Sequence, residues 1–143
     1  MREITFTLAA PLQLPNRKQN LDWRIKGAMT KKARELLARE IRAAIAGQIP
    51  AAPFEYASVK VFRHGLREPD LDNLFASAKD LLDVLQPMRD KRPRRPFGLG
   101  IIVDDKPSRC KFEIAHVKAK HRTDQKTVVV IGELASINAI AAE

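Results

Sequence analysis

At 143 residues the chain suits one domain with a buried core, and 45% hydrophobic residues with 6 glycines are ordinary globular values. With 26 Lys and Arg against 17 Asp and Glu, the formal charge is +9, which points to a polyanionic partner. No apolar run approaches the roughly 18 residues of a membrane span, and Met1-Arg2-Glu3 has no signal-peptide character, so membrane-spanning and secreted classes are disfavoured and the cytoplasm is the expected compartment.

Nucleic acid is the polyanion that fits best, because no basic amphipathic helix with an aromatic apolar face suggests a membrane surface. Aromatic residues make up only 6% of the chain, so contacts to a phosphate backbone are expected rather than base stacking. Cys110 is the single cysteine. It has no disulfide partner, no companions for a zinc site, and reads as a small strand residue.

The first element is a short strand over Glu3–Leu8, where Ile4, Phe6 and Leu8 alternate with polar neighbours and Pro11 and Pro15 close the run. Residues 11–27 read as a polar, basic loop anchored by Trp23. From Thr30 as N-cap to Ala46, apolar residues at Ala33, Leu36, Leu37, Ile41, Ala44 and Ile45 form a helical stripe ended by Gly47 and Pro50. Its other face carries Lys31, Lys32, Arg34, Arg39 and Arg42. That face is either solvated or turned to phosphate, and Lys31 and Lys32 are candidate DNA contacts.

Phe54–Phe62 reads as a second strand, joined by Arg63–Arg67 to Pro69-Asp70-Leu71-Asp72-Asn73-Leu74. Pro69 pushes Glu68 toward an extended conformation, and Asp72 or Asn73 is suited to cap the apolar-periodic run that follows. In an extended segment residues i and i+2 project to one side, so Asp70 and Asp72 would converge there. Oxygen-only ligands favour a hard ion such as magnesium or manganese. Read alone, the same residues also describe a turn aspartate and a solvated cap.

The helix from Asn73 to Leu85 buries Leu74, Phe75, Ala78, Leu81, Leu82 and Leu85, and leaves Asp80 and Asp83 on a polar face for solubility and charge balance. Pro87 ends it. A basic loop at about 87–98 follows, where Lys91, Arg92, Arg94 and Arg95 form a phosphate-binding comb stiffened by Pro93 and Pro96. Leu99–Val103 reads as a short buried strand running into Asp104-Asp105 and a turn. Cys110–Val117 and Thr127–Ile131 are the last two strands, ahead of an Ala-rich tail from Glu133. His64, His116 and His121 have no convincing ligand spacing and are assigned structural places.

The combination of Asp70-Leu71-Asp72-Asn73-Leu74, an amphipathic helix, and Gly100-Ile101-Ile102-Val103-Asp104-Asp105 resembles the RusA-type Holliday-junction resolvases, small magnesium-dependent DNA endonucleases. The resemblance covers about residues 60–118. It implies that Asp70, Asp72 and Asp105 hold magnesium, with manganese as a substitute, that four-way or other branched DNA is cut during recombination and repair, and that the chain works as a homodimer. Family members carry a lysine four residues after the second aspartate of the motif. This chain has Ala76 there, and Lys79 is the nearest replacement.

The expectation is a single α+β domain over residues 1–143, a small mixed RusA-like sheet of about five strands with two main helices. Asp70, Asp72, Asp105 and Lys79 are the candidate catalytic residues, and either Lys79 or Arg67 would balance charge on the phosphate. Arg67 joins Lys31, Lys32, Lys91, Arg92, Arg94 and Arg95 as a DNA contact. The alternatives are a noncatalytic module that binds structured DNA, which Ala76 favours, and an RNA-binding protein.

Overall fold

A two-residue alternation of apolar and polar positions sets the strands of the sheet. The computed structural model describes residues 2–14, 23–87 and 98–136, with backbone alone for 23–29. Its elements are β1 (Glu3–Leu8), α1 (Trp23–Ile45), β2 (Ala57–Gly65), α2 (Leu71–Ser77), α3 (Lys79–Leu85), β3 (Cys110–Lys118), a 3-10 turn at Arg122–Asp124 and β4 (Lys126–Glu133). The expected basic loop residues Lys91, Arg92, Arg94 and Arg95 lie outside the described residues, as does the end of the tail from 137.

The strands form one mixed sheet in the order β1-β4-β2-β3. β4 runs antiparallel to both β1 and β2, whereas β3 is parallel to β2, with Ala57 opposite Cys110 and Gly65 opposite Lys118. A parallel neighbour demands a long crossover. Here α2, α3 and the segment leading to β3 supply it. One face of the sheet presents Ile4, Phe6, Val59, Val61, Val129 and Ile131, which form a single core with Ala38, Ile41 and Ile45 of α1 and Leu81, Val84 and Leu85 of α3. No described helix is long and apolar enough to cross a membrane.

Among the described residues four strands stand in place of the expected five, because Leu99–Val103 is not a strand. Its one ladder contact is an isolated bridge between Ile102 and Phe54. The other amides of this segment cap α3: Leu99 N donates to Val84 O at 2.9 Å, Ile101 N to Leu85 O at 2.8 Å and Gly100 N to Gln86 O at 3.2 Å. Carbonyls at a helix C-terminus lack partners within the helix, and a buried helix end must find them elsewhere. The apolar run is buried, as its composition implied, but in the service of the helix.

Three helix boundaries also differ from expectation. α1 begins at Trp23, inside the expected loop, so Thr30 is an interior residue and not a cap. Asp70, rather than Asp72 or Asn73, is the N-cap of α2, at φ −60° and ψ 154°. The single helix expected from Asn73 to Leu85 is two segments divided at Ala78, where φ is −86° and ψ −6°. Just before the break the Ser77 hydroxyl donates to Leu74 O at 2.6 Å. Such local side-chain bonds compete with the regular helical pattern. β2 likewise runs on through Arg63 and His64 to Gly65, residues expected in the connection.

Candidate active site

Asp70 and Asp72 stand where β2 gives way to α2. Pro69 keeps the approach extended, and Leu74 N donates to Asp70 O at 2.9 Å to start the helix. Asp70 has extended backbone while Asp72 is already helical, so the side-by-side projection expected of two extended residues does not apply. Both carboxylates are exposed, and Asp70 makes no side-chain capping bond. Among the described residues neither forms an ion pair or a side-chain hydrogen bond. Arg67 is exposed in the same connection and is not paired with Glu68 or Asp70.

The second acidic pair is committed to its own turn. Asp104 Oδ1 accepts from Lys106 N at 3.2 Å, and Lys106 Nζ lies 3.9 Å from Asp104 Oδ2. Burial opposes the charged form of Asp104, yet hydrogen bonds from the Lys106 backbone and the Asp105 side chain hold its carboxyl below the usual range. Asp105 moves the other way. Desolvation raises its carboxyl first, then the shared hydrogen bond and negative charge of Asp104, with a smaller push from Asp83. The pair therefore holds a proton on Asp105 more readily than an isolated carboxylate would.

These electrostatic neighbours locate Asp105. Burial and the charges of Asp105 and Asp104 push the Cys110 thiol up to about 11, which sets the acidic pair beside the N-terminal end of β3. Glu68, two residues before Asp70, acts instead on His116 near the other end of that strand. Asp105 therefore lies near Asp104 and Asp83. Among the described residues no three carboxylate, imidazole or thiol groups are close enough to hold a metal ion. The donor types suit magnesium.

Lys79 opens α3 and is exposed, and it lines an open groove with Ala76, Asp80, Gln13, Leu14, Thr30 and Arg34. The break at Ala78 interrupts the continuous helix face expected to join positions 72, 76 and 79, although Lys79 still borders the surface at Ala76. Lys31 and Lys32 are exposed on α1. His64 is half-buried in β2 on the sheet face away from the helices.

Two buried polar groups were not anticipated. Arg34, expected on the open face of α1, reaches Asp80 at 3.0 Å and Asp83 at 2.6 Å and joins α1 to α3. Arg63 occupies a core-facing position of β2 and donates from Nε to Leu12 O at 2.9 Å. Its Nη1 lies 3.4 Å from His116 Nδ1. Arginine can only donate, so Nδ1 accepts this contact. The i, i+3 spacing of Asp80 and Asp83 was a visible signal for the first group. For Arg63 the signal was its place in the alternation after Val59 and Val61.

No family model matches the chain, and no curated protein matches it in sequence. The site is therefore read from its own chemistry and from the motif resemblance alone.

Proposed function

We propose that the chain is a metal-dependent endonuclease of branched DNA, RusA-like in its motif and active as a two-fold homodimer. One observation carries the reading: Asp70 and Asp72 are exposed and, among the described residues, unpaired, as is exposed Arg67 in the same connection, on a chain of net charge +9. Structural carboxylates usually cap, pair or bond, and a pair left uncommitted beside a cation suits an external ion and an external phosphate.

Asp70, Asp72 and Asp105 would supply the oxygen donors, as the motif resemblance implies. A four-way junction has two symmetric cleavage positions, which a two-fold dimer matches. Arg67, with Lys79 at the groove, would hold the phosphate backbone. Magnesium is the cation such an oxygen donor set would take, with manganese as its substitute.

The second reading, a module that binds structured DNA without cutting it, is favoured by Ala76 at the position of the family's lysine. Nicking of labelled junctions with and without magnesium separates the two. Wild type should cut only with the metal, and Asp72→Asn, nearly isosteric but without the charge, should lose at least 100-fold in rate while still binding the junction. Tight binding with no cutting by wild type in either metal would select the second reading.

A further inference from the structure

We infer that Arg63 and His116 form an acid-operated latch on the segment 10–14: a proton on the imidazole makes Arg63 release Leu12 O, and the strap that walls the Lys79 groove loosens from the sheet. Among the described residues no backbone–backbone hydrogen bond involves residues 10–14. Two side chains make the polar ties instead, Thr127 Oγ1 to Ala10 O at 2.8 Å and Arg63 Nε to Leu12 O at 2.9 Å. The strap is a wall of two clefts. Gln13 and Leu14 line a groove of about 230 Å³ with Ala76 and Lys79, and Leu12 and Gln13 line another of about 200 Å³ with Leu36 and Leu37 of α1.

The latch follows from the chemistry of one contact. Arg63 Nη1 lies 3.4 Å from His116 Nδ1, and an arginine has only donors, so Nδ1 must be unprotonated to accept. With a proton there, two donors and two positive charges face each other at that distance. The Gly65 side gives no relief, since even a Cβ on Gly65 would come within 2.8 Å of Nη1. Withdrawal of the arginine head relieves the repulsion and breaks the Leu12 tie.

The surroundings of the ring set the direction of the switch. Burial and then Arg63 disfavour the proton, Glu68 in the connection to α2 and a hydrogen bond with the Gly65 backbone favour it, and His64 of β2 disfavours it again. β4 adds neutral Thr127 to this row, exposed Lys118 lies two residues along β3, and the strap itself has no titratable side chain. The balance keeps the imidazole neutral at pH 7, so the latch is shut there and opens in mild acid. It operates whether or not the chain cuts DNA.

The test is NMR of the full chain as pH is lowered from about 7.5 to about 4.5, following the His116 ring, the Arg63 Nε–H and the amides of residues 12–14. As the ring titrates, the Arg63 Nε–H should exchange about tenfold faster, although base-catalysed exchange alone would slow it, and the strap amides should shift with the same midpoint. Val129 and Ile131 amides, in the middle of the sheet, should keep their protection, which separates release of the strap from unfolding. In His116→Gln, whose side chain takes no proton, the Arg63 Nε–H and the strap should not respond to acid in this way. Should that variant misfold, the wild-type titration decides alone. A ring that stays neutral throughout, or one that titrates while Arg63 Nε–H keeps its protection, overturns the latch. So does a strap response that persists in His116→Gln, or one that arrives only with loss of protection at Val129.

Discussion

Arg63 fills a strand position that alternation reserves for an apolar side chain, and it does so without a carboxylate among the described residues. Burial pulls its guanidinium below the usual range. The charge is tolerated because Nε reaches Leu12 O, and Thr127 beside it donates to Ala10 O at 2.8 Å, so this polar row ties the segment after β1 to the sheet. A Cβ at Gly65 would come within 2.8 Å of Arg63 Nη1 and 3.1 Å of His116 Cε1, so a larger residue there would displace the arginine head.

His116 gives this row a pH dependence. Burial first, then the charge of Arg63, lowers its pKa below the ordinary 6.5. The folded state therefore binds fewer protons than the unfolded chain in the window just below that value. Its contribution to stability is complete above about pH 6.5 and is lost as pH falls through the lowered folded value. Urea midpoints measured from pH 7.5 downward should decline in wild type and decline less in His116→Gln. An identical decline would remove His116 as the cause. A lone histidine on a strand gives no sign of this in sequence, because the effect depends on which side chain lies opposite it across β2 and β3.

At the scale of elements, local rules held where neighbours in sequence decide the outcome. The alternation of Ile4, Phe6 and Leu8 gave β1 its buried face, and the stripe through Ile41 and Ile45 ended at Ala46 and Gly47, both at positive φ. They failed where a distant segment competes. Leu99–Val103 has strand composition but bonds the end of α3, and Asp83 has the spacing of a solvated residue but is 8% exposed against Arg34. Removing one member of such a buried group strands the other charge. Arg34→Met should cost about 3 kcal/mol in chemical denaturation, and pairing it with Asp83→Asn should recover part of that loss. Strict additivity of the two changes would mean that the contact does not join α1 to α3.

At the scale of the whole molecule, the motif residues were legible and their meeting point was not. Asp70, Asp72 and Asp105 stand out by type and by position after apolar runs. Their relative placement depends on the parallel pairing of β3 with β2 and on the crossover that carries α2 and α3 between them. Parallel neighbours are set by the crossover, and no local residue pattern announces them. The net charge of +9 was legible at once.

Metal-dependent nicking tests the central claim most directly. Wild type should nick a labelled four-way junction in magnesium and not without it, and Asp70→Asn, Asp72→Asn and Asp105→Asn should each lose at least 100-fold in rate while still binding the junction. Tight binding by wild type with no nicking in magnesium or manganese would contradict the account.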